Sequence, residues 1–401
     1  FDKQLNSFKI NEIRVRGNLH VSTAKILEYL DLQKGKTYST DTIYHACQNA
    51  WNSQVFSTIY PSLECYSPSE YILYIYVKEK DRKHLALNLG YSSEDKLVAG
   101  VVLSLNNYLL KNSKLLAEVK LGGMNELNVD YVKNFGEEWG AYYRLFPYVN
   151  EKTMYNYTNH YRTSSISSLK WGFTTGIGVF AKDIAIAELF LFSSQNKLYS
   201  DISETPSLQK NSVVSGFGVK AYHESLDDYI FPTSGSRLMT KFNFARNVEI
   251  SDFIYNSFQG KGEVYIPLTK RLRVGMSIDY GSYFNADPVD ILDSYIIGGS
   301  GGFMGYSRYE IGAPYYQINS WDIAYSLQKR WRLCAGMQGL SYSDSNVWAL
   351  ESDWEYCYYA GIGFVNPILP LKLKLAFNET GKMNSFLSIG YDFDLFSFSR
   401  N

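Results

Sequence analysis

The chain has 401 residues, enough for two or three domains at roughly 150 residues each, and its 39 Lys+Arg against 40 Asp+Glu leave a formal net charge of −1. That balance excludes a polybasic nucleic-acid binder and an acidic-tail protein, and an aromatic content of 16% excludes a disordered chain. Mean hydropathy is −0.23, and the longest apolar stretch, Ile184–Phe192, is interrupted by Glu188, so nothing approaches the ~18 apolar residues of a spanning helix. A Tyr-rich, charge-poor chain without such a run is either a soluble all-β protein or a transmembrane β-barrel.

Residues 1–7 are polar and carry no apolar signal-peptide core, as expected of a mature form or of a fragment of something longer. Residues 8–80 read as a mixed α/β module. Ile13 and Val15 alternate with Arg14 and Arg16 as a short strand, and Gly17-Asn18 turns the chain. Ser22 is placed to cap a helix Thr23–Leu30, with Ile26, Leu27 and Leu30 on its apolar face. A loop over 32–36 follows, and Ser39 or Thr40 caps a second helix in which Ile43, Cys47, Ala50 and Trp51 recur at helical spacing. Strands over Phe56–Cys65 and Tyr71–Lys78 close the module, the second with Leu73, Ile75 and Val77 on one face. The expected order is β-α-α-β-β.

From His84 onward the pattern is strand after strand. Leu85, Leu87, Leu89 and Tyr91 alternate with Ala86, Asn88 and Gly90, and Val274, Met276, Ile278 and Tyr280 with Gly275, Ser277, Asp279 and Gly281. Trp321, Ile323, Tyr325 and Leu327 alternate with Asp322, Ala324, Ser326 and Gln328; Leu371, Leu373, Leu375 and Phe377 alternate with Lys372, Lys374 and Asn378. The terminal strand is the clearest, with Leu387, Ile389, Tyr391, Phe393 and Leu395 against Ser388, Gly390, Asp392 and Asp394. One face is large and apolar over nine or more residues, while the other is Gly, Ser, Ala, Asn and scattered charge. That is a barrel in lipid rather than a soluble sandwich, closed because an open strand edge cannot be satisfied in hydrocarbon. Residues 84–395 hold about sixteen strands, an even number, with Met154–Tyr161 either a loop or a seventeenth strand. An even count returns both chain ends to one side of the membrane.

An α/β module directly before a C-terminal barrel resembles a single POTRA domain joined to a barrel of the bacterial surface antigen superfamily, which includes the Bam-complex insertase and the two-partner secretion transporters. Phe231-Pro232-Thr233-Ser234-Gly235 is similar to the family's Phe-Pro-Thr-x-Gly turn, between the eighth and ninth barrel strands. Ile297-Gly298-Gly299, continuing to Phe303-Met304-Gly305-Tyr306, lies where the family has its long inward-folded loop, between strands eleven and twelve. The resemblance covers essentially the whole chain. It implies a mostly β fold, with a periplasmic POTRA-like domain over 1–81 and a sixteen-stranded antiparallel outer-membrane barrel over 82–401, in a Gram-negative bacterium.

One position departs from the pattern. The insertase and transporter branches carry Arg-Gly-Phe/Tyr in that loop, the arginine held by a wall carboxylate, whereas here the residue before Gly305 is Met304, with Arg308 two residues beyond Tyr306. A Gly-rich loop leading to Phe-x-Gly-Tyr, together with a single POTRA domain, looks instead like the C-terminal part of a patatin-like phospholipase autotransporter (type Vd). In that family a hydrolase domain precedes the position of Phe1. The loop residues singled out are therefore Gly298, Gly299, Phe303, Gly305, Tyr306 and Arg308; the turn residues Phe231, Pro232, Thr233 and Gly235; and the terminal-strand residues Tyr391, Phe393 and Leu395. The loop is expected to fold into the lumen, held by packing and backbone hydrogen bonds rather than by a buried ion pair.

No residue of this chain is assigned to catalysis, to a cofactor or to a metal. Gly298-Gly299-Ser300-Gly301-Gly302 matches G-x-S-x-G formally, but a nucleophile elbow needs a strand before it and a helix after it. The five histidines are scattered singly, and Cys47, Cys65, Cys334 and Cys357 form no metal-binding spacing. They read as small buried or wall residues, although a Cys47–Cys65 bridge is allowed in an oxidising periplasm. Asp279, Asp322, Glu355 and Asp392 read as lumen carboxylates facing cations such as Lys372 and Lys374, and Tyr142, Tyr143, Tyr148, Tyr358 and Tyr359 as interfacial girdle. The resemblance leaves two functions open. One is a translocator or anchor presenting a linked patatin-like hydrolase; the other is an assembly factor or secretion channel for separate clients. The implied partners are outer-membrane lipid, a patatin-like domain or a client polypeptide, and a homodimer or an assembly with other outer-membrane components, but no nucleic acid.

Overall fold

A computed structural model describes residues 7–19, 21–52, 56–67, 70–79, 83–94, 96–106, 110, 112–136, 139–158, 161–181, 185–202, 210–228, 230–246, 251–284, 295–327, 330–343, 353–366 and 370–390. The chain divides into two compact units. The first runs β1 (Ser7–Arg16), α1 (Thr23–Leu30), β2 (Thr37–Ser39), α2 (Thr40–Asn52), β3 (Phe56–Ser67) and β4 (Glu70–Glu79). Its sheet has the order β2-β1-β4-β3, with β1 parallel to β4 and the other pairs antiparallel. A parallel pair needs a long crossover, which α1 and α2 supply.

Period decides which residues enter this first core. Ile26 and Leu30 on α1, Ile43 and Ala50 on α2, and Leu73 and Ile75 on β4 are all at or near zero exposure. Each large aliphatic or aromatic residue removed from water contributes about 1.5–3 kcal/mol. The cap of α2 is Ser39, whose Oγ accepts the N–H of Thr42 at 3.1 Å. The observed order is β-α-β-α-β-β, one strand more than expected. Three residues are too few to display an alternation, and β2 exists because the edge of β1 pairs Ser7–Lys9 with Thr37–Ser39. The cysteines here are not bridged. Cys47 lies in the core, where burial pushes its thiol up to about 11, while Cys65 is exposed on β3.

The second unit holds β5 (Lys83–Ser92), β6 (Lys96–Asn106), β7 (Ser113–Gly122), β8 (Asn125–Gly136), β9 (Trp139–Thr158), β10 (Tyr161–Ala181), β11 (Ala185–Ile202), β12 (Lys210–Glu224), β13 (Gly235–Ala245), β14 (Tyr255–Pro267), β15 (Leu272–Phe284), β16 (Tyr295–Ile296), β17 (Gly312–Ala313), β18 (Tyr315–Ser326), β19 (Trp331–Ser343), β20 (Glu355–Phe364), β21 (Leu371–Asn378) and β22 (Met383–Ile389). All but β16 and β17 close into one antiparallel barrel of sixteen strands, sealed by β22 against β5. Met154–Tyr161 is neither a loop nor an extra strand. It ends β9 and begins β10, with Thr158 paired to Tyr161. These strands of 20 and 21 residues are longer than the ~9–11 residues needed to cross a bilayer.

The barrel wall separates two chemistries by parity. Leu87 is 78% exposed, and Leu189 and Leu191 are 59% exposed, whereas their neighbours Glu188 and Phe190 are buried. Rows of exposed Leu, Ile and Val on every side are a lipid-facing surface. The same parity corrects the girdle. Successive residues on a strand point to opposite faces, so Tyr142–Tyr143 and Tyr358–Tyr359 cannot both face lipid. Tyr143 and Tyr358 point outward; Tyr142 and Tyr359 are buried inside, and Tyr148 shares the inward parity of Tyr142. Tyr391, Phe393 and Leu395 lie outside the described residues, as does Asp392.

Candidate functional site

The described part of the connection between β15 and β18, residues 295–314, packs inside the barrel. A two-pair ladder, Tyr295–Ala313 and Ile296–Gly312, makes its neck, and Ile297 N–H to Ile311 O at 3.0 Å extends it. Beyond the neck the chain doubles back. Phe303 N–H donates to Ile297 O (2.8 Å), and Gly299 N–H to Tyr306 O (3.0 Å). Gly299 sits at φ +103, and a Cβ there would meet Glu94 Oε1 at 2.4 Å, so position 299 needs both the left-handed backbone and the missing side chain. Ser300 is held in this tight turn with no helix after it, and its hydroxyl donates to Glu94 at 2.5 Å.

The loop is fastened by packing and by polar groups of the last strands. Ile297, Phe303, Met304 and Tyr306 form one buried cluster with Ile318, Leu340, Cys357, Ala376 and Phe386. Met304, at the position where related loops carry arginine, is 2% exposed. It is bound through its backbone: its N–H donates to Gln338 Oε1 (2.8 Å), and its carbonyl accepts from Asn384 Nδ2 (3.1 Å). Gly305 O accepts from Asn378 Nδ2 (3.3 Å), and the Tyr306 hydroxyl donates to Glu355 (2.5 Å). Beyond that segment the chain gains an ion pair: Glu310, with a side chain 1% exposed, pairs with the half-buried Lys382 at 2.7 Å. Arg308 lies with its guanidinium 5.4 Å from the centre of the Tyr309 ring.

The loop also reaches the place where the barrel closes. The described ladder there comprises Tyr91–Ile389 and Ser92–Ser388, extended by Ser93 N–H to Leu387 O at 3.0 Å. Glu94, two residues past β5, is the acceptor for Ser300, and Asn384 on β22 is the donor to Met304. Loop residues four positions apart are thus bonded to opposite sides of the closure.

The second motif works at the opposite end of the strands. Asp227 accepts the N–H groups of Thr233 (2.8 Å) and Ser234 (3.0 Å) and the Thr233 hydroxyl. Burial raises the Asp227 carboxyl, but these hydrogen bonds outweigh it and hold it below its usual range. Gly235, at φ +101, places a would-be Cβ 2.1 Å from Ser225 O. The turn aims Phe231 across the lumen. Its ring rests on Gly363 of β20, where a Cβ would lie 2.4 Å from it, and Lys372 Nζ is 5.6 Å from its centre. Between the wall and the loop is a cavity of about 630 Å³ lined by Arg237, Lys261, Lys372, Lys374, Gly299 and Glu94.

The lumen carboxylates pair differently from expectation. Asp279 accepts from the Tyr316 hydroxyl at 2.7 Å and lies 3.8 Å from Lys261; Asp322 pairs with Arg273 at 2.9 Å; Glu355 holds Tyr306. Lys374 stands over the Tyr359 ring at 5.2 Å. Further pairs fill the wall, among them Arg144–Asp130 (2.8 Å) and Lys220–Glu188 (2.8 Å). Glu94, Gln338, Asn378, Asn384 and Asp227 were not singled out from sequence. Inward parity on the last strands marks the Gln and the two Asn as lumen groups, but nothing local marks their partners.

Two family profiles match the chain: one described as the Omp85 superfamily domain, over residues 79–331, and one described as the POTRA surface antigen variable number repeat, over residues 8–80. No curated protein matches in sequence. Among solved structures, the chain is similar to BamA from Haemophilus ducreyi lacking POTRA domains 1–3 (15% identity, TM-score 0.75, covering 95% of this chain and 84% of that one). It is also similar to CdiB from Escherichia coli (12%, TM-score 0.58, 96% and 76%) and CdiB from Acinetobacter baumannii (10%, TM-score 0.53, 96% and 74%). At these identities the likeness is one of fold.

Proposed function

The chain belongs to the Omp85 superfamily, an outer-membrane barrel with a POTRA domain, and from that premise we propose that it delivers polypeptide clients by parting the β5–β22 closure. The observation that carries this reading is the loop over 297–310. It occupies the lumen with a buried apolar cluster, which obstructs an axial route for a polypeptide, and it bonds to both sides of the closure. Parting two strands exposes backbone groups that a client strand can satisfy by pairing with them. In this reading residues 1–81 lie in the periplasm of a Gram-negative bacterium, residues 82–401 form the outer-membrane barrel, and both chain ends are periplasmic.

The client we favour is a patatin-like hydrolase domain encoded in the same chain ahead of Phe1. Met304 supports it, because it replaces the arginine of the insertase branch with a packed side chain. Separate clients are supported by a different observation: β3 is an edge of the first unit's sheet, where an extended segment can add. The gene upstream of the Phe1 codon discriminates between the two. A continuous patatin-like reading frame supports the linked client, and its absence overturns it. The route itself is tested by a staple. Ser92 and Ser388 are register partners, a spacing that suits a disulfide. Oxidised Ser92→Cys/Ser388→Cys protein, in a Cys65→Ser background, should stop surface delivery of the client and regain it on reduction. Undiminished delivery by the oxidised barrel refutes a route through the closure.

A further inference from the structure

Glu94 belongs to none of the motifs, yet it joins the lumen loop to the barrel closure. It follows β5, the first barrel strand, and its carboxylate accepts the Ser300 N–H at 3.2 Å and the Ser300 hydroxyl at 2.5 Å. Its neighbour Ser93 reaches the last strand, donating its N–H to Leu387 O (3.0 Å) and its hydroxyl to Ser385 O (3.2 Å). Asn384 on that last strand donates to Met304 O. The loop therefore spans the closure from inside, held at Ser300 on the first-strand side and at Met304 on the last-strand side.

The two anchorages differ in strength. On the last-strand side the backbone of Met304 and Gly305, the Tyr306 hydroxyl and the Glu310 carboxylate are bonded to four successive strands and the β21–β22 turn, and Phe303 and Met304 are buried among them. On the first-strand side the loop is held at Ser300, an exposed residue, by one carboxylate. Gly299 leaves room for that carboxylate, since a Cβ would lie 2.4 Å from Glu94 Oε1. When strands part, the weaker anchorage yields first.

We propose that Glu94 is a positioning residue that latches the loop to β5. Release of Ser300 removes the loop's bridge across the closure and leaves β5 and β22 held by their own ladder bonds, while the loop remains with β19–β22. This rests on the reading that the closure is the route, and it adds the element that keeps the route shut. Hydrogen bonds to a charged group are stronger than neutral ones, so loss of the latch at this partly exposed site should show as roughly a tenfold change, about 1.4 kcal/mol.

The test uses the full-length protein in planar lipid bilayers, carrying Ser92→Cys and Ser388→Cys in a Cys65→Ser background, and counts conductance openings before and after oxidation. Openings abolished by oxidation pass through the closure. Glu94→Ala should raise the rate of those openings about tenfold, and Ser300→Ala, which keeps its backbone N–H for Glu94, should raise it by less. The double variant should do no more than Glu94→Ala alone, because Ser300→Ala removes part of the contact that Glu94→Ala removes whole. Glu94→Gln keeps an amide oxygen for the Ser300 donors and should fall between wild type and Glu94→Ala. Ser300→Ala removes one exposed hydroxyl, so it reads the latch without endangering the fold. Wild-type opening rates in both single variants, or additive effects in the double, overturn the latch while leaving the route intact. Openings that oxidation leaves unchanged in every variant overturn the route, and the latch with it.

Discussion

Replacing Tyr306 by alanine removes two supports of the lumen loop at once. The side chain is 5% exposed, its ring centroid is 5.6 Å from that of Phe303, and its hydroxyl donates to Glu355 at 2.5 Å. Truncating a buried aromatic costs about 3–5 kcal/mol through lost burial and the cavity left behind, and the lost hydrogen bond leaves a carboxylate short of a partner. At about 2–4 °C per kcal/mol for a large domain, the barrel should lose its heat resistance roughly 10 °C earlier. Gel mobility of unboiled samples heated in steps measures this directly, because the folded barrel and the unfolded chain migrate differently. Tyr306→Phe separates the terms: it keeps the ring and should recover more than half of the loss. Arg308→Ala, at a half-buried position with its guanidinium over the Tyr309 ring, should change the transition by much less than Tyr306→Ala. A silent Tyr306→Ala beside a strongly destabilised Arg308→Ala would refute the account in which packing holds the loop.

Phe231→Ala should widen the end of the lumen where that ring rests on Gly363, raising the baseline conductance in planar bilayers; unchanged conductance would mean the ring does not constrict the mouth. Asp227 has its folded carboxyl held below the usual value, so its contribution to the turn is present above the unfolded carboxylate range near pH 4 and is lost as pH falls through the lower, folded value. Amide exchange at Thr233 and Ser234 should accelerate at that acid end in the wild type. In Asp227→Asn the same amides should exchange faster already at neutral pH, with no further acid step of this origin.

Much of this molecule is legible one strand at a time. Alternation with period 2 is a local property, so the barrel strands and most of their lipid-facing residues follow from the order of side chains, and the even-number rule brings the count to sixteen. The helix Thr23–Leu30 follows in the same way from the spacing of Ile26, Leu27 and Leu30. The Phe231–Gly235 and Gly298–Tyr306 segments stand out because clustered glycine and aromatic residues in a connection demand a special backbone and a place to bury rings. Other features need closure before they exist. β2 is a strand only because β1 offers it an edge. Glu94 meets Ser300 across 206 positions of sequence, because sixteen strands bring the first and last together and the loop between the eleventh and twelfth folds into the space they enclose. Asp279 and Asp322 choose Lys261 and Arg273 because those cations stand beside them in the register of β14, β15 and β18. Local residue order carries the preference for strand, helix or turn, but a partner in a closed barrel is selected by register and curvature, which belong to the assembled sheet and to no segment of it.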